Sequence, residues 1–154
     1  MVCDSGLEPR SLTPKACAIT TLLLCSLWVI WAFSPGCTCG SLLGSSPPVM
    51  VGFSINIGHD LDNIAFHFNP RLNASTIVMN HKKGYFDSGT EQHDYYFPFK
   101  QGYDFTVKFS FNQNSFNADI GGYVITFPNR FGEILYNNLH VIGDISVTNV
   151  KIDY

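Results

Sequence analysis

The sequence predicts an all-β chain folded as an antiparallel two-sheet sandwich. Three observations carry that expectation. Apolar residues recur at every second position over strand-length segments, as in Phe53, Ile55 and Ile57 and again in Phe105, Val107, Phe109 and Phe111. Side chains of a strand alternate between its two faces, so each such segment has one side to bury. The segments are short and separated by Gly, Asn, Asp and Pro, which favour turns. Beyond residue 50 no stretch keeps an apolar stripe at helical spacing, and the 13 Phe and 7 Tyr of this 154-residue chain supply bulky core material.

The elements follow in order. Residues 1–15 are polar and turn-rich, with Pro9 and Pro14. Residues 16–33, ACAITTLLLCSLWVIWAF, carry no charge. As a helix they would extend about 27 Å, close to the thickness of a bilayer core. Trp28 and Trp31 lie toward one end, where an interfacial belt places tryptophan. The run is therefore expected to be a hydrophobic helical segment able to associate with a membrane. An uncleaved signal anchor and a cleaved secretory signal both fit it, with small residues near Ser34, Gly36 and Thr38 for cleavage. Residues 34–48 are a Ser/Gly/Pro linker. The chain thus divides into an N-terminal segment, 1–50, and a β domain, 51–154.

Within the domain, 53–58 alternates as a strand and 59–62 turns. Residues 64–71 follow as a strand, with Ile64, Phe66 and Phe68 on one face and His67, Asn69 and Arg71 on the other. Asn73 and Ser75 belong to a turn. Residues 76–80 return as a strand whose Val78 and Asn80 share a face, and 81–89 form a polar loop. Residues 95–99 read as an edge strand interrupted by Pro98. Residues 105–111 are a half-buried strand. Residues 115–120 and 123–127 form a hairpin across Gly121-Gly122, a dipeptide suited to positive φ. Residues 131–136 suggest a helical turn, and 139–142 with 145–152 close the domain.

Composition excludes some functions. A net charge of −3 and a pI near 5.9 give no basic footprint for nucleic acid. All five cysteines precede Gly40, so the domain owes nothing to disulfides. Cys37-Thr38-Cys39 lacks the spaced partner ligands of a zinc site, and no metal or cofactor is expected. His59, His81 and His140 read as solvated or loop residues.

A histidine, an amide and a guanidinium in one row on a sheet face, with Asn80 and the carboxylate of Glu91 downstream, suit a small polyhydroxylated ligand. Hydroxyls both donate and accept, and a carboxylate can hold an arginine's geometry against them. The motif His67-Phe68-Asn69-Pro70-Arg71, then Val78-Met79-Asn80, then Gly89-Thr90-Glu91-Gln92 resembles the galectin family of β-galactoside-binding lectins. Phe97-Pro98-Phe99, Phe127-Pro128-Asn129-Arg130 and Gly143-Asp144-Ile145 fit the same family.

The resemblance implies a jelly-roll sandwich and a non-enzymatic lectin. It assigns carbohydrate binding to His67, Asn69, Arg71, Val78, Asn80, Glu91 and His93. His67, Asn69 and Arg71 would take the axial hydroxyl of galactose, Asn80 a far hydroxyl, and Glu91 would hold Arg71. Asp87, Glu91 and Asp94 are not fixed across a bond as glycoside hydrolysis requires. Implied partners are galactoside-bearing glycans and glycoproteins and a second copy in a homodimer. Implied locations are the cytoplasm and, by a non-classical route, the outside. On that third reading 16–33 is no membrane signal.

This chain departs from the family pattern in three ways. Ser88 stands where the family places a tryptophan that stacks on galactose, in a loop one residue longer, so Tyr85 or Phe86 would have to swing in as the stacking ring. His93 stands where the family has arginine. Residues 16–33 also occupy the place of the first strands, so the sandwich is expected to lack them. A galectin-like interaction protein with weakened sugar affinity is the alternative function. Asn73-Ala74-Ser75 is an N-glycosylation sequon beside the site.

Overall fold

The computed structural model describes residues 17–20, 26–31, 52–143 and 145–153. In chain order the strands are β1 (Cys17–Thr20), β2 (Ser26–Trp31), β3 (Phe53–Gly58), β4 (Asn63–Arg71), β5 (Thr76–Lys83), β6 (Tyr85–Phe86), β7 (Gln92–Asp94), β8 (Phe105–Phe111), β9 (Ser115–Ile120), β10 (Tyr123–Pro128), β11 (Asn138–Gly143) and β12 (Val147–Asp153). Among the described residues one 3₁₀ turn, Ser88–Thr90, lies between β6 and β7. One sheet runs β1-β11-β3-β4-β5-β6, with β7 also paired to β5; the other runs β10-β9-β8-β2-β12. The pairs are antiparallel, so the all-β two-sheet sandwich expected from period-two patterning is what forms.

The inner faces meet in one aromatic core. Phe53, Ile55, Ile57, Phe66, Phe68, Ile77, Met79, Leu139 and Val141 come from the first sheet, and Val107, Phe109, Phe116, Ala118, Ile125 and Phe127 from the second. Phe66 of β4 stacks on Phe116 of β9 at 4.9 Å between centroids and 10° between planes. This contact joins the two sheets directly beneath the strand that carries His67 and Asn69.

The apolar run at 16–33 departs from expectation. Its described parts are two strands, not a helix, and they supply the first strands the sandwich was expected to lack. Trp28, Val29, Ile30 and Trp31 are residue types that favour a pleated surface. β2 is hydrogen-bonded on both sides, to β8 and to β12, while β1 pairs with β11. A helix would satisfy its own backbone but leave β8, β11 and β12 with unpaired edges. Among the described residues no helix is long and apolar enough to cross a membrane. The linker at 34–48 and the pair Cys37-Thr38-Cys39 lie outside the described residues.

Smaller differences have local causes. β3 is buried on both faces, not one, because it lies inside its sheet between β11 and β4. β5 continues past Asn80 to Lys83, and the expected polar loop contains β6. Residues 95–99 are not a strand: β7 ends at Asp94, before Pro98, which has no N–H to give. Residues 131–136 make no helical turn. They wrap around the buried Asn129, whose Nδ2 donates to the carbonyls of Asn112 and Glu133, while its Oδ1 accepts from Gly132 N and the Tyr136 hydroxyl. That amide satisfies the loop's own polar groups, so no helix is needed to do so. The hairpin at Gly121-Gly122 forms as expected, with φ of 63° and 96°.

Candidate functional site

The outer face of the first sheet carries the polar row. Successive register pairs bring His140 of β11 opposite Asn56 of β3, Asn56 opposite His67 of β4, and His67 opposite Asn80 of β5. Four residues far apart in the chain thus form one line across the sheet. An open cleft of about 350 Å³ lies over it, lined by His67, Asn69, Arg71, Asn80, Phe86 and Glu91.

Each polar group there is oriented by a bond behind it. Asn56 is 1% exposed. Its Nδ2 donates to Ser54 Oγ and to the His140 carbonyl, which turns its Oδ1 toward His67. His67 Nδ1–H donates to that oxygen, so Nε2 is left as an acceptor. Asn69 Nδ2 donates to the Phe53 carbonyl at 3.0 Å, and its Oδ1 accepts from Arg71 Nε at 3.0 Å. Asn80 Nδ2 donates to the Asp87 carbonyl, and its Oδ1 accepts from His81 N and Thr90 Oγ1. An amide nitrogen has two hydrogens, so Asn69 and Asn80 each keep one donor for a ligand.

Burial, reinforced by the positive charge of Arg71 and by His140, pushes the His67 imidazole down from 6.5 to about 4. It is therefore neutral near pH 7, as an acceptor must be. Above pH 6.5 both folded and unfolded chains carry it neutral and its stabilisation is complete. Between 6.5 and about 4 the unfolded chain binds the proton and the folded chain does not, so stability is lost as the pH falls. The loss is about 3 kcal/mol once the pH is below both values. Urea midpoints at pH 7 and pH 4 should therefore differ more in the parent than in His67→Gln; equal differences would remove His67 as the cause.

Glu91 does not clamp Arg71 as closely as expected. Arg71 Nη2 lies 3.9 Å from Glu91 Oε2, whereas His93 Nε2 donates to Glu91 Oε1 at 2.8 Å. The carboxylate is drawn toward His93, and among the described residues the terminal nitrogens of Arg71 have no closer ion-pair partner than this. Val78, expected on the ligand face, is 0% exposed, packed between Asn69 and His93 in the register.

The aromatic side of the cleft comes from Phe86. β6 pairs Phe86 with Lys82 and Tyr85 with Lys83. Neighbouring residues of a strand point to opposite faces, so Phe86 turns into the cleft, and Tyr85 stays outside the lining at 75% exposure. The Phe86 ring lies 4.8 Å from the His67 ring. Between Asn80 and Glu91 the chain is ordered by β6 and the 3₁₀ turn, and Phe86 already lines the cleft in this arrangement. Asp87 caps that turn by accepting from Gly89 N at 2.9 Å, and Ser88 stays exposed away from the lining.

Sequence reasoning missed Asn56 and misjudged His140. His140 is not solvated: it is 3% exposed, and among the described residues neither ring nitrogen has a hydrogen-bond partner. Burial first, then Lys82, lowers its affinity for a proton. Alternation in 53–58 put Asn56 on the polar face; only the register showed that it stands behind His67. Among the described residues no group of three or more His, Cys, Asp or Glu side chains could hold a metal ion.

Comparison with known proteins bears on the family and the fold. The sequence profile of the family described as Galactoside-binding lectin matches residues 38–152. Galectin-1 of Ovis aries is 40% identical over 106 residues, covering 66% of this chain and 78% of that protein. Galectin-2 of Homo sapiens is 34% identical over 119 residues, covering 77% and 89%. The structure of CG-16, a homodimeric agglutinin from chicken liver, superposes with a TM-score of 0.72 at 26% identity, covering 90% of this chain and all of that one. A matched profile over most of the chain, on a two-sheet sandwich with the polar row on its outer face, shows that this chain belongs to the galectin family, a family of non-enzymatic lectins.

Proposed function

We propose that this chain binds β-galactosides through the cleft over β4, β5 and β6. One observation carries the reading: five polar side chains of the His67–Arg71 motif and its downstream partners line a single cleft, with Phe86 on its flank. In this reading His67 Nε2 accepts a galactose hydroxyl. The remaining N–H groups of Asn69, Asn80 and Arg71 donate to others, and Glu91 accepts from the second sugar. Phe86 offers the apolar ring for the sugar's C–H face in place of the family's tryptophan. His93 acts behind Glu91 as a positioning residue, and neither metal nor cofactor is needed. Glycoproteins bearing terminal galactose are the partners that follow. A homodimer, the state of CG-16, is the assembly we carry over, to be read by size-exclusion chromatography.

Retention on immobilised lactose, with elution by free lactose, tests the reading. Phe86→Ala should weaken binding about tenfold, judging by aromatic stacking losses of ~1–3 kcal/mol in another ligand class. Tyr85→Ala should leave retention unchanged. If Tyr85→Ala were the damaging variant, the assignment of the platform would be wrong. The alternative, an interaction protein without sugar affinity, draws on Ser88 and on the turning of Glu91 toward His93. Failure of a folded protein to be retained at all would select it.

A further inference from the structure

We propose that Lys82 is a positioning residue for the aromatic side of the cleft: its ammonium, anchored on the turn between β3 and β4, holds the Phe86 ring in place for a ligand. The inference rests on the galactoside reading above and adds a residue that does not itself line the cleft. Phe86 needs such support. β6 is two residues long, with the pairs Lys82–Phe86 and Lys83–Tyr85 to fix it. The ring is 45% exposed, and among the described residues the ring it meets is that of His67. The Lys82 ammonium lies over the Phe86 ring, 5.9 Å from its centroid. That is within the range where a cation is attracted to an aromatic face.

The position of that charge is set from outside β5. Lys82 Nζ donates to the Leu61 carbonyl at 2.9 Å and to Asp62 Oδ1 at 2.8 Å. Two of its three hydrogens are thereby committed. The turn that supplies both acceptors is held by its own bonds. Asp60 Oδ1 accepts from Asp62 N and Asn63 N, both at 2.8 Å, and Asn63 Nδ2 donates to both Asp60 carboxylate oxygens. Gly84 N donates to the Asp62 carbonyl at 2.7 Å, which ties the same turn to the residue just before β6. The Lys82 side chain is 21% exposed, so water and salt screen its charge less than that of a free surface lysine. Rotation of the Phe86 ring toward solvent would forfeit contact with this fixed ammonium, and the contact therefore biases the ring toward the cleft. Lys83 provides the contrast. It is exposed and opposite Tyr85, whose ring stays outside the cleft lining.

Calorimetric titration of the full chain with lactose tests the role. Lys82→Met keeps the length of the stem and loses the charge. It should weaken lactose binding about two- to fivefold, the loss expected for one cation–aromatic contact at a part-exposed site. Lys82→Arg should recover most of the affinity, and Lys83→Met should leave it unchanged. In a Phe86→Ala background Lys82→Met should have no further effect, because the ring it positions is gone. A lysine with a merely structural role would cost the same in both backgrounds. Full affinity in Lys82→Met, or an equal loss in both backgrounds, would overturn the proposal. A second readout needs no sugar. In the proton NMR spectrum of the unliganded chain the Lys82 ε-methylene should lie upfield of that of Lys83, from the ring current of Phe86, and Phe86→Leu should remove the difference. Absence of the shift would overturn the proposal even where lactose binds. A shift in a parent protein without lactose affinity would instead sink the galactoside reading, and with it the role in ligand binding, while the Lys82–Phe86 contact stood.

Discussion

Arg71→Ala should lower affinity for lactose by about 10- to 150-fold, the equivalent of losing ~1.5–3 kcal/mol from hydrogen bonds made by a charged group. The reason lies in how Arg71 is held. Its Nε is committed to Asn69 Oδ1 at 3.0 Å, which sets the plane of the guanidinium. Its Nη2 stands 3.9 Å from Glu91, too far to be consumed by that carboxylate, so terminal N–H groups remain for sugar hydroxyls. The substitution removes those donors and frees Asn69 Oδ1 from the bond that orients it. Arg71→Lys should recover little, because a single ammonium cannot reproduce the planar fork. Fold stability should move by less than about 1 kcal/mol, since the arginine is 43% exposed and its ion pair is long. Calorimetric titration with lactose beside urea unfolding separates the two effects. An unchanged lactose affinity would take Arg71 out of the site.

Phe66→Ala should destabilise the domain by about 3–5 kcal/mol, the range for emptying a buried phenylalanine position. Phe66 is 1% exposed and lies between the sheets. It stacks on Phe116, meets Phe109 edge-on at 5.8 Å, and tilts against Phe68 and Phe127. Those neighbours sit on strands of both sheets, so they cannot collapse into the gap without moving backbone. A domain stable by about 5–15 kcal/mol would lose a large share of its margin. The effect should show as a lower urea midpoint with little change in slope. Phe86→Ala serves as the control, because that ring is 45% exposed and its loss should cost little stability while weakening sugar binding. A loss below about 1 kcal/mol for Phe66→Ala would mean that the inter-sheet contact does not hold the sandwich together.

Local pattern was enough for much of this protein. The alternation of Phe105, Val107, Phe109 and Phe111 is a property of neighbouring residues, and it declared a strand with one buried face. Gly121-Gly122 declared a hairpin because both positions need positive φ. His67, Asn69 and Arg71 share a face by period two, and their spacing to Asn80 and Glu91 sufficed to name the family. Other features depended on partners distant in the chain. The run at 16–33 has no charge and no clear period, so helix and strand are not separated by its own residues. The open edges of β8, β11 and β12 decide the matter. Asn56 gained its place behind His67, and His140 its burial, only when β11, β3 and β4 came into register. Phe86, and not Tyr85, lines the cleft because pairing of β6 with β5 chose which of two adjacent rings faces it. The sequence by itself determined the fold class, the core-facing residues and the polar row, since those follow from side-chain alternation. The tertiary structure decided the first strands, the orientation of the polar groups that line the cleft and the aromatic side of the cleft. Hydrogen-bond pairing and register between segments far apart in the chain leave no trace in any single stretch of it.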